Sequence, residues 1–199
     1  MTIAEDIYHQ GFHLMDDFLK IDHYQALQNA IQATQIEGYF KSAKIGPASD
    51  KTLNQSIRSD SIFWLDKACG NPAIDHYFAK LEALAQALNQ SLFLGLIANE
   101  AHFAIYPPNS FYKKHVDQFA TSQDRRISCV YYLNEDWQDA FGGELILYDL
   151  NDQLLTKIKP QGNRLVCFNS NLPHEVATAY ETRYSIAAWL KIRPMALLF

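Results

Sequence analysis

The chain has 199 residues, 48% of them apolar, and a formal net charge of −5. That is enough for one well-buried core and demands no second one, and its scattered lysines and arginines form no basic stripe for phosphates, which argues against nucleic acid as principal partner. No stretch approaches a membrane span and MTIAEDIYHQ lacks a basic region followed by an apolar one, so a cytoplasmic, unprocessed protein with no membrane partner is expected.

In chain order, Asp22 is placed to cap a helix running to about Gln35, with Tyr24, Leu27, Ala30 and Ile31 at helical spacing. GYFKSAKIG then starts like a strand and passes into a polar loop reaching Ser59, a surface loop or a lid over a site, before the apolar run Ile62 to Leu65. Asn71-Pro72 opens a second helix to about Gln90, striped by Ile74, Phe78, Leu81, Ala85 and Leu88. From about residue 101 the pattern changes to short β-branched and aromatic runs between turn residues: HFAIY, ISCVYYL, ELILYD, RLVCF, HEVATA and RYSIAAWLKI. Cys69, Cys129 and Cys167 read as small reduced core residues rather than a disulfide framework. The fold class expected is mixed but mainly β: a double-stranded β-helix of the jelly-roll or cupin-like kind, flanked by N-terminal helices. One domain spans 1–199, with helical support mainly in 1–95 and the β-helix core mainly in 96–193.

Candidate chemistry lies in that second half. His115 and Asp117 are two apart, so on a strand they share a face, and His174 begins a strand after the tight NSNLP turn. Two imidazoles and one carboxylate on one side of a metal are the ligand set of non-haem Fe(II) oxygenases, which leaves coordination positions open. Along RYSIAAW, alternation puts Arg183, Ser185, Ala187 and Trp189 on one face. An arginine pointing into a barrel needs an anion, either a structural Asp or Glu or the far carboxylate of 2-oxoglutarate. Tyr106 and Tyr132, in neighbouring predicted strands, could add hydroxyl donors.

The segments YPPNSFYKKHVDQF, DRRISCVYYLNEDW, FGGELILY, RLVCFNSNLPHEV and RYSIAAW resemble, in order and spacing, motifs of the prolyl 4-hydroxylase branch of the 2-oxoglutarate oxygenases. The likeness is to the bacterial and animal oxygen-sensing enzymes and covers roughly residues 55 to 193. It implies iron ligation by His115, Asp117 and His174, with Arg183 and Tyr132 on the 2-oxoglutarate C5 carboxylate and Tyr106 near its chelating end. Val130, Leu145, Val176 and Trp189 would wall the pocket; Asp60, Trp64, Tyr112 and Arg125 would lie near the substrate entrance, and Gly46 to Ser59 would form a lid. Ser59, His102 and Ala187 depart from the pattern, where glycine, methionine and threonine are usual. The expected activity is an Fe(II)- and 2-oxoglutarate-dependent dioxygenase that hydroxylates a proline in a protein loop, giving hydroxyproline, succinate and CO2. O2 is the second cosubstrate, ascorbate a reductant, and a translation factor one candidate protein substrate. Two alternatives use the same residues: hydroxylation of a free amino acid or other small molecule, and a non-catalytic metal-binding sensor module.

Overall fold

A computed structural model of the protein describes residues 2–43, 54–67, 69–118 and 122–193. In chain order the elements are α1 (Ile3–Gln10), β1 (Phe12–Met15), α2 (Ile21–Ile36), β2 (Lys41–Ser42), β3 (Ser61–Trp64), α3 (Pro72–Leu92), β4 (Ala98–Tyr106) and β5 (Ser110–His115). They continue with β6 (Arg125–Tyr132), β7 (Leu145–Tyr148), β8 (Leu154–Ile158), β9 (Leu165–Asn169), β10 (His174–Ala179) and β11 (Arg183–Lys191). The strands form two antiparallel sheets, a seven-stranded one in the order β1-β9-β6-β11-β4-β3-β2 and a four-stranded one in the order β5-β10-β7-β8. This is the double-stranded β-helix expected from the short strands.

Alternation along the central strands of the large sheet explains how one sheet serves both a core and a site. Phe103 and Ile105 of β4, Cys129 and Tyr131 of β6, and Ile186, Ala188 and Leu190 of β11 pack with Leu27, Ile31, Tyr77, Phe78, Leu81 and Leu88 of the helices. The opposite face carries Ala104 and Tyr106, Val130 and Tyr132, and Arg183 and Trp189, turned toward the smaller sheet. Apolar contacts between the sheets, Tyr132, Val166 and Phe168 against Leu145, Leu147 and Ile158, close one end of the sandwich. The other end is left to line a cavity.

Helix α3 starts as the sequence predicts, with the Asn71 side chain accepting a hydrogen bond from Ala73 N at 3.0 Å and Pro72 in the first turn. For α2 the expectation needs correction. The N-cap is Lys20, which makes no side-chain cap, and Asp22 sits inside the first turn, where its charge suits the helix dipole. Cys129 and Cys167 are buried, facing each other across β6 and β9 with their Sγ atoms 3.5 Å apart, but Cys69 is exposed rather than a core residue. Among the described residues no helix is long and apolar enough to cross a membrane.

Candidate active site

His115 is the last residue of β5 and His174 the first of β10, and the two are paired in register across the small sheet. This pairing brings together imidazoles 59 positions apart in the chain. Asp117 lies two residues beyond the end of β5, its Oδ1 3.7 Å from His115 Nε2 and its Oδ2 3.5 Å from His174 Nε2. The candidate ligand atoms of the three residues all lie within 4.8 Å of one another, close enough to hold one metal ion.

Hydrogen bonds prepare the donors. His115 Nδ1 lies 2.8 Å from the Lys113 carbonyl and His174 Nδ1 2.9 Å from the Leu172 carbonyl. Facing a carbonyl, each Nδ1 must carry the proton, which leaves the Nε2 lone pair free for a cation. Burial holds His115 well below the ordinary histidine pKa, and the neighbouring His174 adds to the effect. Burial would raise the Asp117 pKa, but the His174 and His115 imidazoles and the Ser128 hydroxyl, which donates to Asp117 Oδ2 at 2.7 Å, hold it below the usual carboxylate value. Neutral imidazoles beside an ionised carboxylate form a donor set suited to a divalent cation.

The cavity holding these groups has a volume of about 1100 Å³ and is lined on the large-sheet side by His102, Ala104, Tyr106, Val130, Arg183 and Trp189. Leu145 and Val176 line it from the small sheet, and Trp64, Tyr112 and Arg125 lie on its wall. Arg183 is 1% exposed, yet among the described residues no carboxylate lies within 4.0 Å of it. Its Nε donates to the Gly143 carbonyl at 3.0 Å and its Nη1 to Ser185 Oγ at 3.1 Å. The rings of Tyr106 and Tyr132 flank the guanidinium at 4.9 and 5.0 Å. Tyr132 is buried beside the guanidinium, and among the described residues its hydroxyl has no hydrogen-bond partner. Burial raises the pKa of both phenols, so both hydroxyls remain donors. A buried cation without a protein anion, next to an unpartnered O–H, fits the carboxylate of a dicarboxylic acid.

Asp60 does not line the cavity; it is buried behind Arg58, which holds its two oxygens at 2.7 and 2.6 Å. Arg58 itself lines the wall, its guanidinium 4.3 Å from the Tyr112 ring, and that ring stacks on His115 with centroids 3.6 Å apart. Ser59 ties this segment to β5, its hydroxyl accepting from Phe111 N at 3.1 Å. Of the Gly46 to Ser59 lid, residues 46–53 lie outside the described part of the chain. His102 and Ala187 are cross-strand partners, and the imidazole packs between Trp64 and Trp189 at 5.1 and 5.4 Å. Sequence reasoning gave no role to Ser128 or Arg58. Ser128 shares a strand face with Val130 and Tyr132, a signal that was present; for Arg58, only the fold reveals its ring contact.

A two-histidine, one-carboxylate cluster in the mouth of a β-helix is an arrangement of non-haem iron oxygenases, and residues 101–191 match the family model described as the 2OG-Fe(II) oxygenase superfamily. The chain is 35% identical to a crystallised prolyl-4-hydroxylase from Pseudomonas putida, with 96% of this chain and 97% of that one covered and a TM-score of 0.86. The chain belongs to the prolyl hydroxylase family of 2OG-Fe(II) oxygenases. A Trichoplax adhaerens prolyl hydroxylase, solved in complex with a hypoxia inducible factor oxygen degradation domain peptide fragment, is 27% identical, with 95% of this chain and 87% of that one covered and a TM-score of 0.85. Human Egl nine homolog 1 is 32% identical over 187 residues, which is 90% of this chain and 43% of that protein, so the chain spans under half of that relative's length.

Proposed function

We propose that the chain is an Fe(II)- and 2-oxoglutarate-dependent prolyl 4-hydroxylase acting on a proline in a protein loop. His115, Asp117 and His174 would hold the iron, and the metal would supply the oxidative chemistry in which O2 and 2-oxoglutarate are converted to succinate, CO2 and a hydroxylated substrate. The observation that carries the reading is Arg183, a buried cation with no carboxylate of its own on the wall of the cavity that holds the histidines. Its guanidinium and the Tyr132 hydroxyl would bind the C5 carboxylate, fixing the cosubstrate by its tail so that the keto-acid end meets the metal. Tyr106 would lie toward that chelating end, and Val130, Leu145, Val176 and Trp189 would exclude water from the chain between. The depressed pKa of His115 keeps that imidazole open to a cation near neutral pH without a proton having to leave it.

For the substrate, the relatives support a polypeptide. The cavity, at about 1100 Å³, has room for part of a chain beside 2-oxoglutarate. Trp64, Tyr112, Arg58 and Arg125 offer the ring faces and cations on which a loop could rest. We assign ascorbate the role of reductant, a cytosolic translation factor the role of a candidate substrate, and the cytoplasm the place of action; the unpaired thiols of Cys129 and Cys167 support that compartment. The test is mass spectrometry of the proteome of the source cell and of a deletion strain. Hydroxyproline present on a protein in the first and absent in the second is the expected result. A one-oxygen change confined to free small molecules would contradict the protein substrate.

A further inference from the structure

Asp117 is the least supported of the three proposed metal ligands by backbone geometry. His115 and His174 sit within paired strands, whereas Asp117 follows the end of β5, where no ladder fixes it. Two of the contacts that hold it come from β6. Ser128 donates to its carboxylate at 2.7 Å, and Arg125 Nη1 donates to its backbone carbonyl at 3.3 Å. Arg125 is buried, lies with its guanidinium 3.7 Å from the Trp189 ring, and has its Nε and Nη2 directed at Glu100 Oε1 at 3.1 and 2.7 Å. Glu100 is itself aimed by the sheet: Trp189 of β11 pairs with Glu100 of β4 on one side and with Ser128 of β6 on the other. Glu100, Trp189 and Ser128 therefore form one row across three strands; the Ser128 end meets the Asp117 carboxylate, and the Glu100 end holds the arginine that meets its carbonyl.

We infer that Glu100 is a positioning residue for the metal site, acting through Arg125. By occupying two donors of the guanidinium and holding its plane on Trp189, Glu100 leaves Nη1 pointed at the Asp117 carbonyl and so fixes the distance of that residue from His115 and His174. Outer groups that orient a metal-ligating carboxylate govern metal affinity, typically by tenfold to a hundredfold. The same surface network contains a built-in control. Lys191 bridges Glu100 Oε2 at 3.3 Å and Asp124 Oδ2 at 2.8 Å, so Asp124, which also accepts from Ser122 Oγ at 2.6 Å, joins the ion-pair cluster through Lys191.

This inference rests on the reading that His115, Asp117 and His174 bind the metal, and the experiment separates the two. Metal-free protein is titrated with Co(II) under argon, following the visible absorption of the bound ion, for the parent and for H174A, E100Q, R125K and D124N, with thermal midpoints measured for each apo-protein. Glu100→Gln preserves the side-chain length at a position whose side chain is 31% exposed, and the thermal midpoint of its apo-protein checks that the fold is retained. The expected result is Co(II) affinity reduced about tenfold in E100Q and R125K, unchanged within twofold in D124N, with E100Q and D124N lowering the thermal midpoint alike. Parent-like Co(II) affinity in E100Q, together with lost binding in H174A, would overturn the role of Glu100 while leaving the metal site standing. Binding in H174A equal to that of the parent would overturn the metal site itself, and this inference with it.

Discussion

Arg183 concentrates the argument at the residue scale. A buried guanidinium without a counter-ion is tolerable only if a ligand or hydrogen bonds compensate it, and the protein supplies one carbonyl and one hydroxyl. Arg183→Ala is expected to raise the KM for 2-oxoglutarate tenfold to a hundredfold, the equivalent of the roughly 1.5–3 kcal/mol of charge-assisted hydrogen bonds, with a smaller change in kcat. Succinate formation measured against 2-oxoglutarate concentration checks this; an unchanged KM would remove the arginine from the cosubstrate site. The histidines, the aspartate and this arginine, singled out in the sequence by residue type, spacing and the resemblance of successive segments together, meet in one cavity. Glu100 was not legible in the sequence, since what makes it relevant is the register that sets it beside Trp189 and Ser128, and register across three strands is not written in any one of them.

Among the elements, the turn that precedes β7 makes the arginine's seat. Gly143 has φ +70°, and a Cβ there would meet Arg183 Cδ at 3.1 Å, Ala179 Cβ at 3.2 Å and Trp137 Cζ2 at 3.4 Å. Gly143→Ala should cost stability through the left-handed backbone, about 1–2 kcal/mol, and also weaken 2-oxoglutarate by displacing the side chain it touches. Gly70→Ala is the control: its φ of +73° imposes the same backbone strain, but nothing lies within 4 Å of the added Cβ. Both variants should lose several degrees in Tm while only G143A shows raised KM; equal KM values would mean the turn does not support the arginine. Helix α3 and strands β4, β6, β7, β9, β10 and β11 were readable because apolar residues recur there at helical or alternating spacing, whereas β5 ends in the polar run Lys113-Lys114-His115. Helix α1 and strand β1 were missed, although Thr2 and Glu5 form a capping box and Gly11 closes the helix in a left-handed conformation. The helix has only eight residues and β1 is an edge strand, partly buried along its length, so neither carries a strong periodicity. Strand β8 was overlooked for a similar reason: four of its five residues are not buried, leaving little apolar alternation to read.

At the scale of the whole molecule, the large sheet is shared between a helix-covered core and a cavity, and this division buries ionisable groups far from water. Burial, with a further contribution from Arg58, lowers the His102 pKa from 6.5 to about 4. The folded state thus refuses a proton that the unfolded chain accepts, so stability is lost as the pH falls from about 6.5 and levels off below about 4. The loss by pH 4.5 should be roughly 2–3 kcal/mol from this residue, with His115, depressed in the same direction, adding to it. Urea unfolding of the apo-protein at pH 7 and pH 4.5 measures the difference, and His102→Met should shrink it; a variant with the parent's full acid loss would show that His102 titrates normally. The two-sheet architecture and its helical cover were predictable from the change of pattern near residue 101. Which strands neighbour one another was not, because β1 joins the sheet beside β9, at the far end of the chain.

The central claim is that one cavity chelates iron and 2-oxoglutarate together. Anaerobic addition of Fe(II) and then 2-oxoglutarate to the apo-protein, with the visible spectrum followed throughout, tests it most directly. A metal-to-keto-acid charge-transfer band should appear only with both additions, vanish in His174→Ala, and need tenfold or more 2-oxoglutarate in Arg183→Ala. Folded, iron-loaded protein that develops no band at saturating 2-oxoglutarate would contradict the account.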